Sequence, residues 1–392
     1  MVIAGDIGSK NSILGIFHED EKGMPVLANY PKDSKKPILV KYPTTNYDNL
    51  ESLVETFLQQ SGIEEPICAA CFGISGPVSN GKGHIIVTKE STWNLSEDNL
   101  CDFLIKQSWK KNECDGAKEQ RIVKVINSLE GIDFNALLEF DKIIELNQPN
   151  TTEQTAVEHQ RCALLGIRES VGEALVHWGH LANGDEGYVL SFSEGGHCYF
   201  APGSKEEVKF LNYLLKHPEM LDHSEIVTYQ NVLSRKGIVS IYQFVQEGMK
   251  AENTVAGLEE LVEQKAFEEA AGKIMIAALK EEDAVCEKAI DLFFSIYGAE
   301  ASNMALRYYA LGGVYYLRGT LTPPELMDQF IKKLQQGTFM QAFTRRAKPE
   351  VQKLLESIPV KLVNYPDIRL YGAARLALNK EHIGCILQEG CE

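Results

Sequence analysis

The first half of the chain alternates short apolar strands with helices, and this order constrains the fold more than any other feature. Residues 2–4 and 12–17 are predicted as the two strands of a hairpin around the turn at 5–8. The apolar residues of 50–58 recur at helical spacing, and an apolar strand of the buried type follows at 67–74. Strands that alternate with helices favour an α/β architecture.

The second half adds further strands and then becomes mainly helical. A strand ends at Ile126, a helix is predicted from Leu129 to about Glu145, and a polar joint follows at 147–153. Later strands and helices are predicted at 162–165, 174–178, 188–191, 205–216, 254–280, 283–309 and 314–317. We therefore expect two α/β lobes around a central cleft. Residues 1–127 would form a small lobe and 128–392 a larger one, with the chain end able to return to the small lobe.

The charge of the chain limits its partners. Its 392 residues carry a net charge of −16, which would repel phosphate-rich partners, so neither nucleic acid nor an anionic membrane surface is expected. No apolar run approaches the roughly 20 residues of a membrane-spanning helix, and we see no signal peptide. Cys68 and Cys71, the only close pair among nine cysteines, lie in an apolar stretch and are expected to be reduced structural thiols. The expected location is the cytosol.

Residues 5–12, with the sequence GDIGSKNS, place an acid and two glycines in a turn between strands. The backbone amides of such a turn can approach a phosphate, and the carboxylate of Asp6 can hold Mg²⁺. An ordinary hairpin turn has the same character, and this stretch alone favours the ordinary turn.

Residues 191–207 carry a far more specific pattern. Glu194 and His197 stand on either side of two glycines after a strand, and together they can grip vicinal hydroxyl groups of a sugar. A single Glu or His is more often a structural residue. The complete string, however, resembles the EGGHxxFAP signature of the bacterial-type glucokinases, a hexokinase-like group in the actin-type ATPase superfamily.

The resemblance extends along nearly the whole chain in one order. The matching stretches are GDIGSKN at 5–11, CFGISGPV at 71–78, STWNLS at 91–96, VINS at 125–128, NVLSRKGIVSIY at 231–242 and LGGVYYLRG at 311–319. It implies two ribonuclease H-like lobes that transfer phosphate from ATP, with Mg²⁺, to the 6-hydroxyl of glucose. The retained positions are Asn127, Glu194 and His197 on the sugar side, and Asp6, Gly8, Asn11, Gly172 and Gly319 on the nucleotide side.

The most serious departure from the family concerns the catalytic base. The family's I-N-D motif supplies the aspartate that takes the proton from the sugar, and Ser128 stands in its place. A serine hydroxyl is not a useful base near neutral pH, and the loss of a base typically costs about 10²–10⁴ in rate. If a helix begins at Ser128, Glu130 lies about 200° and Asp133 about 140° around it. Neither acid is then expected to reach the hydroxyl, unless the segment is extended.

Other departures affect the nucleotide and the sugar. Residues 168–170, Arg-Glu-Ser, stand where the family has the Gly-Thr-Gly of its second phosphate turn. Glycine leaves room for a phosphate there, and a glutamate would repel it. Lys10 replaces a threonine of the first phosphate turn, and Gln230 replaces a second sugar-binding glutamate. Arg318 replaces the first glycine of the pair beside adenosine.

We therefore expect a glucokinase-like pseudoenzyme without an intact catalytic residue, retained as a structural or regulatory partner of a larger cytosolic assembly. A protein partner or a homo-oligomer is expected, and no cofactor. Glucose should bind only in the millimolar range, because two charged hydrogen bonds have become neutral at Ser128 and Gln230. Two alternatives stay open. One is an active ATP-dependent glucokinase with an unusual base, which would use ATP and Mg²⁺ with Asp6 as metal ligand. The other is a sugar sensor without catalysis.

Overall fold

The computed structural model describes most of the chain. The described residues are 1–21, 23–29, 37–63, 65, 67–88, 90–107, 122–138, 142–149, 158–167, 171–181, 184–221, 224–251, 255–319, 322–365 and 367–378. None of the helices in these ranges combines the length and the apolar character needed to cross a membrane.

The elements of the described ranges are numbered in chain order. The strands are β1 (Val2–Ile7), β2 (Asn11–Glu19), β3 (Pro25–Leu27), β4 (Leu39–Pro43), β5 (Ala69–Ile74), β6 (Val78–Ser79), β7 (Lys82–Ile86), β8 (Thr92–Ser96), β9 (Ile122–Asn127), β10 (Ile143–Glu145), β11 (Cys162–Ile167), β12 (Val171–His180), β13 (Glu186–Ser193), β14 (Gly313–Leu317) and β15 (Val360–Val363). The helices are α1 (Leu50–Ser61), α2 (Glu97–Gln107), α3 (Phe134–Leu138), α4 (Lys205–Lys216), α5 (Tyr229–Val232), α6 (Arg235–Met249), α7 (Leu258–Glu263), α8 (Phe267–Leu279), α9 (Ala284–Tyr308), α10 (Met327–Gln336), α11 (Thr338–Thr344), α12 (Pro349–Glu356) and α13 (Ile368–Leu378).

The chain divides into two compact units. Unit 1 takes the described residues of Met1–Glu139, Gly179–Leu190 and Asp367–Glu392, and unit 2 those of Phe140–Trp178 and Ser191–Pro366. Unit 1 thus continues past the boundary drawn from the sequence after residue 127. The physical reason is local packing, because the amide of Asn135 donates to the Tyr188 carbonyl (2.9 Å) within the same unit.

Unit 1 is built on a mixed sheet with the strand order β3-β2-β1-β5-β9, and β4 pairs with β2. β1 and β2 form the predicted antiparallel hairpin, while β5 and β9 continue in parallel from β1. All six residues of β1 and of β5 are buried, as expected for strands that are covered on both faces. Val2 and Ala4 pack against α13, and Ile3 lies in the core with residues of α1 on the opposite face. A small separate sheet has the order β6-β7-β8.

Unit 2 repeats the plan of unit 1. Its sheet has the order β10-β15-β14-β11-β12-β13, in which β11 and β12 are antiparallel and β14 and β15 continue in parallel from β11. The long helix α9 contributes aromatic side chains to the core beside this sheet, among them Phe294 and Tyr297. In both units an antiparallel hairpin is followed by two parallel strands on the far side of its first strand. The predicted α/β class with ribonuclease H-like units is confirmed.

Three local predictions are wrong. The helix predicted from Leu129 to Glu145 is reduced to α3, because Ile143–Glu145 instead forms β10 and pairs with the distant strand β15. The predicted helix at 254–280 is interrupted between α7 and α8, where Lys265 has a positive φ of 57°. Cys68 lies in a disulfide and is therefore no reduced thiol. Cys71 is a buried free thiol, and burial raises its pKa.

Candidate functional site

The first phosphate turn follows β1 in unit 1 and is held closed by hydrogen bonds. Gly8 N donates to Asn11 O at 3.1 Å across the turn. The hydroxyl of Thr44 donates to Gly8 O at 2.8 Å, and Thr44 N donates to Lys10 O at 2.8 Å. Asp6, near the end of β1, is only 5% exposed. The turn is therefore an ordered backbone loop beside a buried carboxyl group.

Three parallel strands of unit 1 end side by side. The pairing of β1, β5 and β9 aligns Ile7, Ile74 and Asn127 in one row. The phosphate turn, the loop after β5 and Ser128 therefore leave the sheet at the same edge. The carboxyl ends of parallel strands are where open α/β sheets place their ligands. Unit 1 thus brings its predicted nucleotide-side and sugar-side residues to one edge.

Asn127 organises the turn that follows β9. Its Oδ1 accepts a hydrogen bond from Leu129 N at 2.9 Å, and its Nδ2 donates to Gly76 O at 3.2 Å. Its backbone N donates to Oε2 of Glu130 at 2.9 Å. The side chain of Asn127 therefore connects this turn to the loop after β5.

Ser128 occupies a confined position next to β5. The residue is buried, and its N donates to Ile74 O at 2.9 Å. A Cβ placed on Gly73 would lie 3.2 Å from the Cα of Ser128, so a side chain there would crowd the backbone of Ser128. The backbone of Ser128, the residue predicted to replace a catalytic aspartate, is thus fixed at the sheet edge.

The neighbouring acids are engaged with other groups. The prediction for them assumed a helix from Ser128, but the chain forms a turn there and α3 begins only at Phe134. The carboxylate of Glu130 turns back to the amide of Asn127. Desolvation raises the pKa of Glu130, and that hydrogen bond opposes the rise. Asp133 Oδ2 forms an ion pair with Nε of Arg375 at 2.9 Å.

The sugar loop, defined as Glu194–His197, follows β13 in unit 2. Glu194 precedes a single 3₁₀ turn at Gly195–His197. The side chains of Glu194 and His197 are 58% and 65% exposed, and Oε2 and Nε2 are 3.8 Å apart. The loop therefore presents a carboxylate and an imidazole side by side, as gripping two neighbouring hydroxyl groups requires.

The two glycines of the sugar loop are required by packing. A Cβ on Gly196 would come within 2.7 Å of the Val171 carbonyl oxygen, and one on Gly195 would overlap the carboxyl group of Glu173. Val171 and Glu173 both belong to β12. The backbone of the loop therefore rests directly on the sheet of unit 2.

Backbone hydrogen bonds connect the sugar loop to the segment that carries Gln230. Tyr229 N donates to Cys198 O at 3.0 Å, and Phe200 N donates to Val227 O at 2.9 Å. Gln230 follows Tyr229 directly in α5. In unit 2, these two backbone hydrogen bonds thus connect the loop of Glu194 and His197 with the segment of Gln230.

The second phosphate turn, Arg168-Glu169-Ser170, lies outside the described residues. On its flank, Gly172 pairs with Gly166 in the β11–β12 hairpin. A Cβ on Gly319 would lie 2.6 Å from Ile167 O, so the glycine permits a close approach of the two strand ends. The side chain of Arg318 is held in unit 2, where it donates to Asn364 Oδ1 (2.9 Å) and Thr322 O (3.0 Å).

Several residues near these sites were not predicted from the sequence. Thr44 was invisible because it lies far along the chain from the turn that it closes. Arg235, at the start of α6, is buried and forms an ion pair with Glu268 at 3.1 Å. Glu173 of β12, which lies against Gly195, was not predicted either.

Comparisons with known proteins point to one family. Residues 3–380 match the family model described as Glucokinase. The glucokinase of Trichormus variabilis is 27% identical over 387 residues, which cover 96% of this chain and 98% of that protein. The glucokinase of Synechocystis sp. is 28% identical over 390 residues, which cover 95% and 96%.

Solved structures agree at the level of the fold. The glucokinase from Balamuthia mandrillaris in complex with glucose has a TM-score of 0.67 at 17% identity, over 96% of this chain and 93% of that chain. A glucokinase from an Antarctic psychrotroph has a TM-score of 0.61 at 21% identity, over 97% and 99%. Because the family model spans nearly the whole sequence, this chain belongs to the glucokinase family.

Proposed function

We propose that this chain is an ATP-dependent kinase of glucose, the alternative that the sequence left open. The observation that carries the proposal is the register of β1, β5 and β9, which brings the phosphate turn and Asn127–Ser128 to one sheet edge. Phosphoryl transfer needs its donor and acceptor sites at one place. The relatives named glucokinase over nearly their whole length support the same function.

The described residues suit the two substrates. Glu194 and His197 would hold vicinal hydroxyl groups of the sugar, with Gln230 as a neutral partner. The backbone of the turn between Gly8 and Asn11 would lie beside phosphate oxygens. Mg²⁺ usually takes one or two protein carboxylates and completes its shell with phosphate oxygens and water, so the single buried carboxylate of Asp6 fits this ion. When bound, the ion would neutralise the charge that develops on the transferred phosphate.

Ser128 would orient the sugar hydroxyl without taking its proton. Phosphoryl transfer depends mainly on positioning and on charge stabilisation, so a reaction without a carboxylate base is slow but not abolished. Loss of the base accounts for about 10²–10⁴ in rate. We therefore propose a weak kinase, slowed by the loss of its base.

A pseudoenzyme is the second candidate, and one observation favours it. Ser128 replaces the base, while the carboxylates of Glu130 and Asp133 are bound to Asn127 and Arg375. A protein partner or a homo-oligomer then becomes the expected role, and this stays a prediction, as does the cytosolic location.

Restoring the base tests the proposal. Formation of ADP from Mg-ATP would be measured with and without glucose for the wild type, Ser128→Asp and Ser128→Ala. We expect slow glucose-dependent turnover in the wild type and an increase in kcat of about 10²–10⁴ in Ser128→Asp. Ser79→Asp adds the same charge at an exposed position and should leave turnover unchanged.

The outcomes separate the two candidates. A wild type that is inactive while Ser128→Asp turns over would favour the pseudoenzyme with an intact binding frame. Inactivity of both proteins would refute the kinase and leave only the fold in common with the family.

A further inference from the structure

A fully buried carboxyl group lies beneath the sugar loop. Glu173 in β12 is 0% exposed, and its side chain packs directly against Gly195. The proposed kinase reaction gives this residue no role. Its place under the loop that carries Glu194 and His197 calls for an explanation.

Glu173 is also joined to the loop through the backbone. The hydroxyl of Ser193 donates to Glu173 O at 3.2 Å and accepts a hydrogen bond from Gly195 N at 3.2 Å. The side chain and the main chain of Glu173 thus both support the same glycine. A movement of Glu173 would be transmitted to the residues on either side of that glycine.

A second buried carboxylate lies close to the first. Glu300 in α9 is 0% exposed, accepts hydrogen bonds from Asn303 Nδ2 (3.0 Å) and Arg307 Nη2, and also contacts the Tyr229 hydroxyl. The hydrogen-bonding capacity of Glu300 is therefore well used. By contrast, neither carboxyl oxygen of Glu173 receives a hydrogen bond from the described residues.

The surroundings of Glu173 favour its neutral form. Burial raises its pKa most, the charge of Glu300 raises it further and the charge of Arg307 opposes the rise, which leaves a pKa of about 7. Arg346, after α11, donates to Asn303 Oδ1 and acts on Glu300. An ionised carboxylate without donors is costly inside a protein. Glu173 would thus change charge near neutral pH.

We propose that Glu173 is a positioning residue of the sugar loop, which supports Gly195 as a neutral acid and displaces it when ionised. The ionised group needs water or a donor, and the element packed directly on the carboxyl group is the loop itself. Glucose is therefore bound more tightly below neutral pH than above it. The inference rests on the proposed function only in taking glucose as the ligand.

The test compares the full-length wild type with Glu173→Gln, which keeps the shape of the neutral acid. Calorimetric titration with glucose at pH 6 and pH 8 should show affinity falling roughly 5-fold or more in the wild type, the usual lower range of coupling between sites. Glu173→Gln should lose most of this change. Glu225→Gln, an exposed control, should behave like the wild type.

A second measurement needs no glucose. Hydrogen exchange of the amides of Gly195 and Cys198, corrected for the intrinsic rate at each pH, should show protection that falls above pH 7 in the wild type only. The inference would be overturned if the wild type and Glu173→Gln showed equal amide protection at each pH and equal changes in glucose affinity between pH 6 and pH 8. If glucose did not bind but the amide protection changed with pH as expected, glucose would be refuted as the ligand. The positioning role of Glu173 would then still stand.

Discussion

The replacement Glu173→Gln should change how the free energy of unfolding depends on pH. The carboxyl group of Glu173 has a pKa of about 7 in the folded protein, against an ordinary value of 4.5. Between these two values the unfolded chain has released the proton while the folded chain retains it. The free energy of unfolding therefore falls as pH rises through this window, and it is constant above it as far as Glu173 is concerned.

The size of the effect follows from the same two values. One pKa unit corresponds to 1.36 kcal/mol, so a rise from 4.5 to about 7 corresponds to about 3 kcal/mol for this buried group. Glutamine does not titrate and lacks this contribution. Relative to the wild type, Glu173→Gln should therefore gain about 3 kcal/mol between pH 4.5 and pH 7.5.

Urea unfolding followed by circular dichroism, repeated at several pH values between 4.5 and 8, measures this difference. Glu225→Gln is the matched control, because it removes an exposed carboxylate and should give a curve parallel to that of the wild type. If Glu173→Gln also gave a parallel curve, Glu173 would be ionised in the folded protein, and the reasoning about its burial would be refuted.

Three further predictions concern the first phosphate turn, the Ser128 position and the purine side. Thr44→Val removes the hydroxyl that donates to Gly8 O, so the free energy of unfolding by urea should fall by about 1–3 kcal/mol. Gly73→Ala places a Cβ 3.2 Å from the Cα of Ser128, so it should lower glucose-dependent turnover measured by ADP formation. Arg318 stands at the position expected to lie beside adenosine, and its guanidinium is held by Asn364 and Thr322. Because Arg318→Gly removes this side chain, Mg-ATP should raise the melting temperature of the variant more than that of the wild type.

Each of these predictions has a control. Thr92→Val changes an exposed threonine and should leave stability unaltered, whereas equal losses in both variants would exclude a special role for Thr44. Gly248→Ala meets no atom within 4 Å and should retain full turnover. Mg²⁺ alone serves as the control ligand for Arg318→Gly, and an unchanged response to Mg-ATP would show that Arg318 does not obstruct the nucleotide.

Apolar runs and glycine-acid turns predicted much of the fold. The hairpin of β1 and β2 and the buried strand β5 were found from local pattern, because strands covered on both faces are apolar throughout. β10 was missed because its three residues are held by pairing with β15, more than two hundred residues away. Such an edge strand depends on its partner and has little signal of its own.

The candidate site was predictable where a motif carried it. Glu194 and His197 stood out because two chemically distinct side chains flank two glycines, and the structure places their side chains next to each other. Thr44 and Glu173 could not be found in this way. Both act through contacts that exist only in the folded sheet, and a lone threonine or glutamate has no distinguishing neighbours in the sequence.

The assembly of unit 1 from distant pieces affects the order in which the protein can fold during synthesis. The face of β1 that carries Val2 and Ala4 is covered by α13, whose buried side chains include Ala373 and Ala374. β1 is therefore synthesised long before the helix that covers this apolar face. Unit 2 has all of its described elements earlier in the chain. A nascent chain that ends before α13 would leave Val2 and Ala4 of β1 uncovered on this face.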